Sequence, residues 1–382
     1  MNTFGQYFRV TTFGESHGPA VGAVIDGCPP GLELSTDDIQ AELDLRRPGQ
    51  SELTTPRKEP DRVEILSGVF EGKTLGTSIA LIIFNRDMRP SDYSKIKDLY
   101  RPGHADYTYQ QKYGRRDYRG GGRSSGRETA ARVAAGAVAR KLLAGKGIQV
   151  VSFARMIGGV WLDGAEPRIG EGSATMPAGP ETGNLAEQVT VLRSRIYGSR
   201  VRCPHEETAT AMERAIQTAG EEQDSVGGIV EVRAYGVPAG LGDPVFGKID
   251  ARIAQAVMSL GAVKGIEFGD GFRLAEMRGS EANDRFTTGA DGQVLPETNR
   301  AGGMAGGIST GLPIVFRAVV KPTASIGKVQ KSVDAAGKPV DLAIEGRHDP
   351  CIVIRIVPVI EHIVNLVLLD LYLAQNAVRG WV

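Results

Sequence analysis

Cysteine is scarce in this chain, with three among 382 residues, Cys28, Cys203 and Cys351, and no CxxC pair. An odd, scattered set supports neither a disulfide framework nor a zinc site, and it suits a reducing, cytoplasmic setting. An excess of one charge is lacking too. Lys plus Arg and Asp plus Glu both number 45, so the formal net charge is zero and any strong positive field must be local. That argues against a general nucleic-acid binder. The opening MNTFGQYFRV has neither the basic nor the apolar region of a secretory leader. The most apolar run, from Ile363 to Ala374, is too short to span a bilayer and carries Asn365 and Asp370. The expectation is a chain without a membrane segment, whose 41% hydrophobic content can fill one large domain or two of ordinary size.

Glycine, by contrast, is abundant: 50 of 382 residues, about 13%, near twice the usual ~7%. It concentrates at one place with arginine. Residues 113 to 132, YGRRDYRGGGRSSGRETAAR, put six arginines, a triple glycine and a serine pair ahead of an alanine-rich segment. Ser125 stands at an N-cap position with Glu128 three residues on, the pattern of a capping box. Ala130, Val133, Ala134, Ala137 and Val138 then recur with helical spacing up to Gly145 and Gly147. Free backbone N-H groups at such a terminus favour a phosphate, and glycines let the backbone approach it. Read alone, the run also suits a basic surface loop capping an ordinary helix.

Periodicity predicts a strand from Ala20 to Gly27, a capped helix from Ser35 to Leu45, a strand from Val63 to Leu66 and a buried apolar segment from Gly76 to Phe84. From about 155 to 225 the pattern weakens into a surface region or insertion, with one helix from Glu206 to Thr218. Beyond it come a strand from Gly228 to Tyr235, a helix from Lys248 to Leu260, a strand over 352–357 and a terminal helix from about Val359 to Ala377, started by Pro358. GCPPGL at 27–32 and GVPAGL at 236–241 both follow a strand and precede a helix. Such turns arise by chance about as readily as by duplication; a duplication implies two related halves around one core. Without a regular βαβ alternation, the class expected is α+β.

Of five histidines, His17 and His104 lie in glycine-bearing loops, GESHG at 14–18 and RPGHAD at 101–106. Each is a candidate acid or a cation beside a phosphate, and neither has metal-ligand spacing to another donor, so no metal is expected. Arg46 and Arg101 are further cations near turns. AGGMAGGIS at 301–309, KPTAS at 321–325 and RHDPC at 347–351 offer close backbone approach, hydroxyl donors and a charged cluster.

These motifs, with RPGHADYTYQQKYG at 101–114 and DYRGGGRSSGRETAARVAAGA at 117–137, occur in order along nearly the whole chain, which resembles the chorismate synthase family. The resemblance implies a single domain over 1–382 with a β-α-β sandwich, central helices lying between antiparallel sheets. It implies conversion of 5-enolpyruvylshikimate 3-phosphate to chorismate and phosphate by anti 1,4-elimination, with reduced FMN (FMNH2) required and NADPH a candidate reductant. It also implies a homotetramer, with an external flavin reductase as a further candidate partner. By similarity, Arg123, Ser124, Ser125, Gly261, Ala262, Gly306, Lys321, Pro322, Thr323, Ala324, Ser325 and Arg347 hold FMN. Arg46, Arg101, Arg127 and Arg132 meet substrate anions, and Arg46 is also assigned to the nucleotide. His104 acts as the cation or acid at the leaving phosphate or flavin, His17 as a donor near the phosphate, and Asp349 in relaying the ring proton through the flavin.

One departure stands out. Where the family often has a second arginine six residues past the position of Arg46, this chain has Glu52, a carboxylate that cannot replace it; Arg57 or Lys58 is the substitute expected. Two other functions remain at this level: a flavin oxidoreductase with net electron transfer, and an RNA-binding protein using the arginine-glycine run.

Overall fold

Val21, Ala23 and Ile25, like Ile79, Leu81 and Ile83, alternate along the chain, and their side chains are almost wholly buried. A period of two places them on one face of a sheet, with the other face left outward. In a computed structural model, which describes residues 1–50, 52–54, 59–87, 93–94, 96–162, 185–289, 292, 294–344 and 349–380, these residues belong to the first of two five-stranded antiparallel sheets. Its strands are β1 (Thr3–Phe4), β2 (Arg9–Gly14), β3 (Ala20–Asp26), β4 (Val63–Ile65) and β5 (Ile79–Phe84), in the order β1-β2-β3-β5-β4. The second holds β6 (Gln149–Ile157), β7 (Val160–Trp161), β8 (Gly228–Tyr235), β9 (Val263–Phe268) and β10 (Ile314–Val320), in the order β9-β10-β8-β6-β7.

Seven helices of eight or more residues accompany the sheets among the described residues. In chain order they are α1 (Thr36–Arg46), α2 (Asp106–Tyr113), α3 (Thr129–Ala144), α4 (Leu185–Gly198), α5 (Glu206–Glu221), α6 (Ile249–Met258) and α7 (Val353–Arg379). The central pair is α3 and α7: α3 packs on β3 and β5, α7 on β6 and β8, and the two pack on each other. The alanines of α3 make this close approach possible. At Gly136 an added Cβ would lie 2.5 Å from the Cβ of His362 and 2.7 Å from its carbonyl oxygen, so only glycine fits. The expected α+β class, with helices between antiparallel sheets, is the one observed.

The repeated turn has a structural basis. Leaving out the short edge strands, the first sheet runs β2-β3-β5-β4 and the second β6-β8-β10-β9, which is the same winding twice. α1 follows β3 as α6 follows β8, and α3 follows β5 as α7 follows β10. Gly27 (φ 84°) and Gly236 (φ 69°) end the matching strands β3 and β8. A Cβ would strike Tyr7 O at 1.8 Å in one case and Gly147 O at 2.1 Å in the other.

Most expected elements lie where periodicity puts them, and Ser35 caps α1 through Asp38 in a complete capping box. The C-terminal expectation was wrong. Residues 352–357 are not a strand; a single helix runs from Val353 to Arg379 with Pro358 inside it. Its first turns are buried on every side, so the β-branched run Ile352–Val359 shows no helical stripe, and Pro358, early in the helix, removes only one backbone bond. Among the described residues this is the one helix long and apolar enough to cross a bilayer, but 89% of its most apolar stretch is buried inside the fold. The region from 155 to 225 holds a helix that the sequence reading lacked, α4, which turns Val189, Leu192 and Ile196 inward.

Candidate active site

The doubled winding brings equivalent connections together. The links α1→β4 and α6→β9, and the links β5→α3 and β10→α7, all contribute to one cavity of about 1040 Å³. That is at the upper end of the range for small-molecule sites, ~300–1,000 Å³. Ten of its lining residues are Lys or Arg and five are Asp or Glu. In a chain of zero net charge, the positive field is therefore concentrated here.

The triple glycine forms the cavity's most crowded wall. Gly120, Gly121 and Gly122 all have positive φ, at 68°, 101° and 54°. A Cβ on Gly120 would sit 2.4 Å from His17 Cε1, and one on Gly121 3.0 Å from His104 Cε1, so the glycines admit both imidazoles. The chain then enters α3 through two 3-10 turns, Gly122–Ser124 and Gly126–Glu128. The expected capping box does not form. Ser125 accepts from the Arg127 N-H at 3.3 Å, but Glu128 turns away to Arg132, one helical turn on, at 2.9 Å. Because Glu128 lies in the 3-10 turn ahead of α3, the pull of that guanidinium wins.

Several of the expected arginines already have partners. Arg46, 1% exposed, donates to Asp61 at 2.9 Å, Thr129 at 3.1 Å and Gly126 O at 2.5 Å. Burial, reinforced by neighbouring Arg355 and opposed by Asp61, pushes the Arg46 guanidinium down to about 9, still charged at neutrality. Arg127 shares Asp61 and donates from Nε to Asn85 at 2.8 Å. Arg101 grips Asp106 with two donors at 2.7 and 2.8 Å. Arg132 divides itself between Glu128 and Ser259, and Arg123 reaches back to Thr12 on β2 at 2.8 Å. Among the described residues, the lining side chains of Arg115 and Lys264 pair with no carboxylate.

His104 lines the cavity with its Nδ1 3.1 Å from Asp106 Oδ1, leaving Nε2 as the other ring atom for a ligand. The same carboxylate receives Arg101 and Arg116. Burial alone would raise the Asp106 carboxyl, but the hydrogen bonds from Arg101 and the close approach of His104 outweigh it and hold the group well below the usual carboxylate range. The lining also holds Lys321, whose Nζ donates to Gly103 O at 2.7 Å, and Thr323, whose buried Oγ1 has no hydrogen-bond partner among the described residues. Ala262 joins them at a strained φ of 70°, and Asp349 is held by Arg355 of α7 at 2.7 Å.

The cavity thus unites His104, Asp349, Arg46, Arg101, Arg123, Arg127, Arg132, Ser124, Ser125, Gly261, Ala262 and Lys321 through Ser325. Two expected residues stand apart. His17 does not line it but lies buried behind Gly120, 3.1 Å from Ser16 Oγ and edge-on to Tyr93. Gly306 sits in the turn between the short strands Met304–Ala305 and Ile308–Ser309, and Arg347 falls outside the described residues. Glu52 is exposed and is not part of the lining; Arg57 and Lys58 are not among the described residues. Sequence reasoning missed Asp61, Asn85, Asp106, Arg116 and Arg355. Asp106 had a signal in its place beside His104, and Arg116 in its place within the arginine-glycine run. A separate buried trio, Glu42, Glu361 and His362, has donor atoms close enough for a metal. Its carboxylates already accept from Arg140 and Arg193, so it is a buried ion network tying α1, α3, α4 and α7.

Comparisons with known proteins point to one family. The family model described as chorismate synthase matches residues 8–373. Chorismate synthase of Syntrophobacter fumaroxidans is 54% identical over 97% of both chains, and that of Methanocella arvoryzae 53% identical over 97% of this chain and 93% of its own. A crystal structure of chorismate synthase superposes with a TM-score of 0.74 at 33% identity, covering 97% of this chain and 93% of that one.

Proposed function

The chain belongs to the chorismate synthase family, and from that premise we propose that its cavity binds 5-enolpyruvylshikimate 3-phosphate beside reduced FMN. Loss of phosphate and a ring proton by anti 1,4-elimination then gives chorismate, the chemistry of a carbon-oxygen lyase at the last common step of the shikimate pathway. The observation that carries this reading is the doubling of basic over acidic residues in a large cavity of an otherwise neutral chain. A substrate with two carboxylates and a phosphate, next to a phosphorylated cofactor, is what such a field attracts.

The residues present fit the cofactor. Ser124, Ser125, Gly261, Ala262 and Lys321 through Ser325 offer hydroxyls, backbone N-H groups and a cation, and Thr323 Oγ1 is left without a partner among the described residues. Reduced FMN, when bound, supplies electron density that the redox-neutral reaction returns. On the protein side, His104, steadied by Asp106, is placed to stabilise or protonate the departing phosphate. Asp349, fixed by Arg355, is the carboxylate we assign to moving the ring proton. Phe13 and Phe84, exposed on the outward face of the first sheet, suit a homotetramer. We read the whole chain as one cytoplasmic domain, with NADPH or an external flavin reductase supplying the reduced cofactor.

Anaerobic assay with dithionite-reduced FMN tests the reading. Chorismate and phosphate should appear in equal amounts with no reductant consumed per turnover. Full activity with oxidised FMN in air would overturn it, and NADPH oxidised in step with product would instead mark an oxidoreductase.

A further inference from the structure

Asp61 is wholly buried at a positive φ of 48°, an unusual conformation for an aspartate outside a turn tip. Strain of this kind persists where the surroundings over-determine it. Here the surroundings are two guanidiniums: Oδ2 accepts from Arg46 and Oδ1 from Arg127. Arg46, at the end of α1, goes on to Gly126 O and Thr129 Oγ1 and so secures the last glycine of the cradle. Arg127 goes on to Asn85 Oδ1, and Asn85 Nδ2 holds Glu15 O at 3.0 Å and Gly18 O at 2.7 Å. Those carbonyls bracket Ser16 and His17. One carboxylate therefore governs both the arginine-glycine cradle and the histidine loop, although it does not itself line the cavity.

We propose that Asp61 is a positioning residue for the elimination, setting Arg46 and Arg127 and, through Asn85, the loop that carries His17. The proposal rests on the function assigned above. Two guanidiniums beside one carboxylate also leave the group with a net positive charge, which an anionic ligand in the adjacent cavity offsets. Neutralising Asp61 would let the two cations repel and separate, shifting the cradle and the loop together. A misplacement of about 1 Å at a distance from the chemistry can lower turnover roughly 10²-fold.

The test uses Asp61→Asn, whose side chain tolerates a positive φ, together with Asn85→Ala, which cuts the link to the histidine loop but leaves both guanidiniums paired with Asp61. Three quantities are read: melting temperature, affinity for 5-enolpyruvylshikimate 3-phosphate by calorimetry without flavin, and turnover with reduced FMN. For Asp61→Asn folded at the assay temperature, substrate affinity should fall at least about 10-fold and kcat/KM roughly 10²-fold. For Asn85→Ala, kcat should fall about 10-fold with affinity nearly kept, since the histidine loop is released while Asp61 still holds Arg46 and Arg127. Wild-type affinity and kcat/KM in a folded Asp61→Asn would overturn the proposal. Should that variant not fold, wild-type kcat in Asn85→Ala overturns it and the lowered kcat upholds it. Failure of the wild-type chain to make chorismate would be a failure of the assigned function instead.

Discussion

Asp106 Oδ1 lies 3.1 Å from His104 Nδ1, and the same oxygen receives Arg116 at 2.9 Å. The cation-rich loop is thereby organised around one carboxylate, which decides which ring nitrogen of His104 faces the cavity. Asp106→Asn should lower turnover roughly 10²-fold, within the range for a positioned proton donor. Nitrogen-detected NMR of the His104 ring should show a changed tautomer balance. Unaltered ring signals with normal turnover would remove Asp106 from the mechanism.

The two histidines should respond differently. His104→Ala should reduce turnover by about 10² to 10⁴ while keeping the melting temperature and flavin binding. His17→Ala should reduce it comparably but also lower the melting temperature, because His17 is packed behind Gly120 at 6% exposure. Calorimetry and steady-state kinetics on both variants check this. Near-normal turnover in both would make the histidines structural.

Asp349 accepts from Arg355, and asparagine can keep that bond while losing the ability to take a proton. Asp349→Asn should therefore melt near the wild-type temperature and turn over about 10-fold or more slowly. An unfolded variant, or wild-type turnover, would each count against its part in moving the ring proton.

Acid should weaken the fold through Glu42. Burial would raise this carboxyl, but His362, Arg193 and Arg140 hold it well below its ordinary range. A folded-state value below the unfolded one means that the stabilisation is full above about pH 4.3 and is lost as pH falls through the folded-state value. Glu42→Gln should cost about 3–5 kcal/mol at pH 7, as loss of one partner of a buried ion network does, and the gap from wild type should narrow below about pH 4. Urea titrations at pH 7 and pH 3.5 measure it. A gap independent of pH would show that the carboxylate's charge is not what stabilises the network.

Local signals were strong wherever one side of an element faces the core. A strand pattern marked β3, a continuous apolar run marked β5 as buried, and Ser35 with its acidic first turn marked α1. The cradle was legible because glycine and arginine are chemically distinctive side by side. Where an element is buried all round, as at Ile352–Val359, the period vanishes and β-branched residues read as strand. Asp61 and Asn85 had no local signal, since their meaning lies in partners 66 and 42 residues away, Arg127 in both cases.

The cavity is assembled from matching links of two like halves, and neither half encloses it alone. In a pair of identical subunits related by a two-fold axis, each face of such a site would repeat the other. Joined in one chain, the faces are free to diverge: the first carries seven of the eight lining arginines, His104 and the triple glycine, the second Lys321, Thr323, Ser325, Asp349 and Arg355. A site lined differently on its two sides suits a reaction in which phosphate and proton leave opposite faces of a ring, and a symmetric pair could not provide it without giving both faces the same chemistry.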